Sequence, residues 1–201
     1  DTAKAGGGFI YLNLSNNENY VLESRLLGQT TATAQRYADG SYMNPTTGKP
    51  FYSVAQIKEL SAYAANKGIE LIPEISAPTH MGGIVRLLQA QKSDWLNTAF
   101  TQNNELNYSN AQGMGFIKKL YDEAEGVFSN LKHLHIGAGE LSDSISDNDR
   151  FIAYANHLIL YYSGKGITLR IWNDGVLKTG LGKLDKRVEI VYRNLNENSV
   201  S

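Results

Sequence analysis

The chain has 201 residues, 42% hydrophobic and 19% charged, which suits a single globular domain (1–201) with a sizeable core and excludes a disordered chain. Nineteen basic residues against twenty acidic ones leave a formal net charge of -1, with no basic face for nucleic acid. There is no cysteine, so disulfides and thiolate metal sites are excluded, and no apolar run approaches the roughly 20 residues that span a bilayer, so no membrane partner is expected.

Asp1-Thr2-Ala3-Lys4 is not a signal peptide; an exported protein would already have shed one. Gly6 to Leu14 reads as glycines running into a buried strand. Residues 15–52 form a long polar connection rich in turn formers (Asn16, Asn17, Asn19, Gly40, Asn44, Pro45, Gly48, Pro50), which is functional or carries small elements of its own. Ser53 opens a helix, and Gln56 completes a capping box. Val54, Ile57, Leu60 and Ala64 share one face of that helix, and Gly68 stops it. Ile69 to Ile75 is apolar at nearly every residue, as a strand covered on both faces requires, with Pro73 near its end.

A helix over about Met81–Gln91, a polar loop, and a helix over about Ala111–Ser129 follow. Residues 132–136 form a short strand leading into a glycine turn that presents Glu140. Asp147 is expected to cap the next helix, whose stripe is Phe151, Ala155, Leu158, Ile159 and Tyr162. Ile167–Trp172 is a strand followed by Asn173-Asp174-Gly175. A short helical segment and a strand at Val188–Tyr192 complete the pattern.

Strands alternating with helices imply a parallel sheet with right-handed crossovers. A closed (β/α)8 TIM barrel needs eight strands and about 250 residues, whereas five strands are read here. The expected fold is therefore an incomplete α/β barrel, with a short doubly wound parallel sheet as the alternative. No GxGxxG or GxxxxGK[ST] supports nucleotide binding. An open barrel segment leaves two parallel edges and one apolar face uncovered, so further chain, a partner or self-association is expected to cover them.

The strand ends gather Asn13, Ser15 and Asn16, then Glu74 and His80, His135 and Glu140, Trp172, Asn173 and Asp174, and finally Tyr192 and Arg193. Carboxylates, amides and rings on one rim suit a carbohydrate, which offers hydroxyls to acids and C–H faces to rings. Each residue also has a plainer reading. Glu140 is also read as a solvated loop acid, Trp172 as core or lid, His135 as a satisfied core histidine and His80 as a loop residue. The four scattered histidines form no metal site, and no GxSxG elbow is present. Spacing alone leaves a hydrolase and a binding module both open.

Several segments together are more specific. They are Asn17–Gln29 (NENYVLESRLLGQ), Asn44–Phe51 (NPTTGKPF), Gly68–Met81 (GIELIPEISAPTHM), His133–Glu140 (HLHIGAGE), Phe151–Leu158 (FIAYANHL) and Arg170–Gly175 (RIWNDG). On these the chain resembles glycoside hydrolase family 20, the β-N-acetylhexosaminidases. The resemblance implies a TIM barrel, of which the chain covers roughly the second through sixth strands. It implies substrate-assisted retaining hydrolysis of GlcNAc-containing glycans of the poly-N-acetylglucosamine type, with no cofactor or metal, by a secreted or cell-surface protein. Glu140 matches the general acid/base. Gly139 stands where the family has the aspartate that polarises the acetamide. Trp172 would line the sugar pocket with Asp174, Asn16 and Tyr192, and Glu74 and His80 would support the acid. The family's HxHxSD histidines and aspartate become Tyr11, Asn13 and Asn16, and its tryptophan after the last matching strand becomes Arg193. These departures imply weak activity or, alternatively, a catalytically degenerate protein that binds GlcNAc glycans or a partner without turnover.

Overall fold

The structure is a computed structural model, and it describes residues 4–139, 145–176 and 180–193. Strands β1 (Phe9–Asn13), β5 (Glu70–Ala77), β6 (His133–Gly137), β7 (Thr168–Trp172) and β8 (Glu189–Val191) form one parallel sheet in that spatial order. Spatial order follows chain order without a reversal. This corrects the doubly wound alternative, whose order reverses at a switch point, and leaves the singly wound arrangement of a barrel arc. Helices α1 (Val54–Asn66) and α4 (Ala111–Glu125) pack on β5, and α5 (Ile145–Ser163) packs on β7. Helix α2 (Gly82–Ala90) and the short α3 (Trp95–Ala99) complete the helical set. Among the described residues no helix is long and apolar enough to cross a membrane.

The buried faces follow the periodicities. In β5 every residue from Leu71 to Ala77 is buried. Pro73 lies in mid-strand rather than near the end. The strand tolerates it because Glu70 and Glu74 bond to the β1 side, so Pro73 faces β6, where pairing starts only at Glu74. Phe116, Leu120 and Ala124 of α4 are buried, as are Phe151, Ala155, Leu158, Ile159 and Tyr162 of α5. Helix α5 begins at Ile145, so Asp147 sits inside its first turn rather than at the cap. A carboxylate there still complements the helix dipole.

Ser53 caps α1 as expected: its side chain accepts from the Gln56 N–H, and the Gln56 side chain accepts from the Ser53 N–H at 2.9 Å. Gly68, at φ 71°, stops the helix. The buried stripe is Ile57, Ser61 and Ala64, whereas Leu60 stays 45% exposed. Leu60 faces an apolar groove beside Leu12, Tyr52 and Tyr63 instead of the core.

The connection over 15–52 carries its own small antiparallel sheet, β2 (Gln35–Arg36), β3 (Tyr42–Met43) and β4 (Pro50–Phe51). A buried amide pins it. Gln29 Nε2 donates to the Tyr20 and Leu22 carbonyls, and its Oε1 accepts from Asn44 Nδ2. The Asn44 Oδ1 in turn accepts from the Thr46 and Thr47 N–H groups, which closes the Asn44-Pro45-Thr46-Thr47 turn.

Replacing Ser53 by alanine should lower the unfolding free energy by about 1 kcal/mol through loss of the cap. The shift in the urea midpoint measures it, and an unchanged midpoint would show that the cap contributes nothing.

Candidate active site

One register level crosses the sheet and supplies the floor of the site. Asn13 pairs with Glu74, Glu74 with His135, His135 with Arg170, and Arg170 with Glu189. A cavity of about 190 Å³ opens at the carboxyl ends of these strands, lined by Asn13, Asn16, Glu74, His80, Gly139, Trp172 and Arg193 among others. Drug-sized ligand pockets measure ~300–1,000 Å³, so this one matches a single sugar-sized group.

Glu74 is buried, and it is held from two sides. Trp172 Nε1 donates to its Oε1 at 2.9 Å, and the Asn13 side chain bonds it as well. Burial raises the Glu74 pKa above the ordinary carboxylate value, while these bonds and the nearby Arg193 charge oppose the rise. His135 is fully buried, with its ring centroid 4.4 Å from Trp172 and 5.2 Å from Tyr11. The Gly137 N–H donates to its Nδ1 at 3.1 Å, which makes Nε2 the protonated nitrogen, and Nε2 has no hydrogen-bond partner among the described residues. Burial, then the Arg170 and Arg193 charges, push the His135 pKa down to about 3. Neutral imidazole is therefore the form near pH 7, so the 3.8 Å approach of His135 Nδ1 to Glu74 is no ion pair. The histidine belongs to the barrel layer under the cavity.

Arg193 organises the far wall. It grips Asp174 through two bonds, Nε to Oδ1 at 2.9 Å and Nη2 to Oδ2 at 2.6 Å, and its guanidinium lies 5.1 Å from the Trp172 ring centroid. A Cβ at Gly139 would overlap Arg193 Nη2 and lie 3.3 Å from Asp174 Oδ2. The guanidinium thus fills the space into which a side chain at 139 would project. Gly175 is needed for a different reason: a Cβ there would overlap the Ala138 carbonyl, so the turn after β7 closes on the backbone just past β6 only with glycine.

The other expected site residues divide. His80 lines the cavity at φ 59°, with Asn17 Nδ2 3.3 Å from its Nδ1. Asn16 also lines it, but its Oδ1 closes a turn by accepting from the Glu18 and Asn19 N–H groups. Tyr192 is 76% exposed and absent from the cavity wall. Side chains alternate along an extended chain, and Arg193 takes the inward place. Glu140 lies outside the described residues. Ser15, expected at the rim, lines the cavity, and its Oγ accepts from the Ser76 N–H at 2.9 Å; the pattern of motifs did not point to Thr79, whose hydroxyl donates to the Gly139 carbonyl at 2.9 Å. Small hydroxyl residues beside strand ends are too common to stand out.

The sequence profile of glycosyl hydrolase family 20, catalytic domain, matches residues 9–159. A lacto-N-biosidase from Bifidobacterium bifidum is 31% identical over 195 residues, covering 87% of this chain and 16% of that protein. A β-hexosaminidase from Vibrio furnissii is 29% identical over 101 residues, covering 47% of this chain and 16% of that protein. Among solved structures, dispersin B superposes with a TM-score of 0.90 at 37% identity, over 98% of this chain and 60% of that one. The chain therefore spans about a sixth of these two curated relatives.

The neutral histidine has a pH signature. Its folded pKa lies below the unfolded value of 6.5, so the unfolded state takes up the proton first and acid removes stability. Glu74 has a raised pKa and works in the opposite sense, adding stability as pH falls through the carboxylate range. Between about pH 6 and pH 5, His135 should contribute a loss of about 1 kcal/mol per pH unit. Urea unfolding of the parent and His135→Asn across that window gives the difference in slope, and equal slopes would refute the assignment.

Proposed function

The chain belongs to glycosyl hydrolase family 20, and from that premise we propose that it is a β-N-acetylhexosaminidase-type glycosidase acting on GlcNAc-containing glycans, with turnover limited by Gly139. The observation that carries this reading is the rim cavity, sized for one sugar ring and walled by an indole that Glu74 locks in place. Trp172 offers the sugar's C–H groups the part of its indole that lines the cavity between His135 and Arg193.

In the reaction, the acetamide oxygen of the bound sugar attacks its own anomeric carbon as the glycosidic bond breaks. Glu140 gives its proton to the departing oxygen. The resulting oxazolinium ring carries positive charge on the acetamide. Glu140, now a carboxylate, takes a proton from water, and the water oxygen adds at the anomeric carbon from the face the leaving group vacated. The acetamide re-forms and the configuration is retained. Gly139 has no side chain to hold the acetamide N–H or to offset the charge. Loss of one such electrostatic partner lowers the rate by about 10²–10³.

A second reading, glycan binding without turnover, is favoured by one observation: the Arg193 guanidinium occupies the space beside Gly139. That guanidinium, already paired with Asp174, offers the positive intermediate no stabilisation. Binding of the neutral ground-state sugar is affected less.

Hydrolysis of an aryl β-GlcNAc separates the two. The parent should turn over slowly and Glu140→Gln should abolish the activity. If Glu140→Gln retains the parent rate, the assignment of the acid is wrong. If no variant turns over while GlcNAc still binds, the second reading replaces the first. Gly139→Asp alone should gain little, because the new carboxylate meets Arg193 and pairs with it. Gly139→Asp combined with Arg193→Ala should gain about 10²-fold or more over the parent. An equal gain from the single substitution would show that Arg193 does not block the position.

A further inference from the structure

Two segments that follow neighbouring strands are tied together beside the rim cavity. Strand β5 carries one residue more than β6 between their last two register pairs, Glu74 with His135 and Ala77 with Gly137. A bulge of this kind re-aims the chain beyond it, and here it brings residues 78–80 against 137–139. The Thr79 hydroxyl donates to the Gly139 carbonyl at 2.9 Å across that gap. The Leu106 N–H donates to the Pro78 carbonyl at 3.0 Å and holds the donor's own segment from the other side.

The segment that receives the bond has a disfavoured backbone. Gly137 has φ 73° and Ala138 φ 65°, so two successive residues are left-handed, and the second carries a Cβ. Sterics disfavour that region for any L-residue other than glycine. Such a turn persists only where its surroundings over-determine it, and it is typical of functional sites. Ala138 is buried, with its carbonyl against Gly175, and the Thr79 bond secures the next carbonyl along. A peptide unit is planar, so fixing the Gly139 carbonyl also fixes the plane on which the chain continues into Glu140.

We propose that Thr79 is a positioning residue for the general acid: its hydroxyl holds the 139–140 peptide so that Glu140 meets the departing oxygen. The proposal rests on the hydrolase reading above, and the two fail differently. Proton donation matters for a poor leaving group and hardly at all for one that departs as a stable anion. Values of kcat/KM on phenyl β-GlcNAc and on 2,4-dinitrophenyl β-GlcNAc, in the parent and in Gly139→Asp/Arg193→Ala, therefore separate a displaced acid from general damage. Thr79→Val and Thr79→Ala remove the hydroxyl at two sizes, and Thr79→Ser keeps it. On the phenyl substrate the first two should lose about tenfold or more, while on the dinitrophenyl substrate they should stay within about twofold. Thr79→Ser should restore the phenyl rate. Equal losses on both substrates, no loss on the phenyl substrate, or a serine variant as slow as the valine one would overturn the role and leave the hydrolase reading in place. So would loss of folding, seen by melting, in both the valine and alanine variants. If neither background cleaves the phenyl substrate, no acid is at work and this proposal falls. If the dinitrophenyl substrate also survives, the hydrolase reading falls with it.

Discussion

The site depends on the burial of one carboxylate. Glu74 sits inside the barrel layer, where an acid removed from water needs donors to remain. It takes them from the Trp172 indole of β7 and the Asn13 amide of β1, so three strands are tied together at the carboxyl end of the sheet. The bond fixes the plane of the indole. That plane then sets what lies on either side: the neutral His135 ring below and the Arg193 guanidinium across. Asp174 completes the arrangement by holding Arg193 with two bonds. If Glu74 were released, the indole, the arginine and the shape of the cavity would all lose their reference.

Much of the fold could be read in the chain because its signals are local. The Ser53/Gln56 cap, the α5 stripe from Phe151 to Tyr162 and the apolar run of β5 each lie within a few turns or one strand. Where the sequence reading missed, the deciding contact was distant. Leu60 matches the helical period, but its outward neighbours Leu12 and Tyr52 come from other elements. Pro73 is acceptable in mid-strand because of where β6 begins to pair, which no local pattern records. The small sheet within 15–52 rests on two-residue strands, too short to show alternation.

The site shows the same limit. Its residue types and rim positions were visible in the sequence, whereas the pairing of positions 139 and 193 was not. Read separately, a missing aspartate and an arginine in place of a tryptophan are two losses. In three dimensions they are one exchange, a side chain given up on β6's turn and a guanidinium taken into the same volume from beyond β8. The paired Arg193 and Asp174 thus fill one corner of the cavity, apart from the indole wall and its Glu74 anchor.

The strand order also bears on how the chain acquires its shape. Each strand of the main sheet pairs with the sheet strand before it, so the sheet can be laid down in the direction of synthesis. Register partners Phe9 and Glu70 are 61 positions apart, as are Glu74 and His135, whereas His135 and Arg170 are 35 apart and Arg170 and Glu189 only 19. Loop-closure entropy rises with the logarithm of loop length, so the costliest closures come first and each later strand joins a template already formed. Vectorial winding of this kind adds each new strand at the edge opposite β1 while the nascent chain emerges.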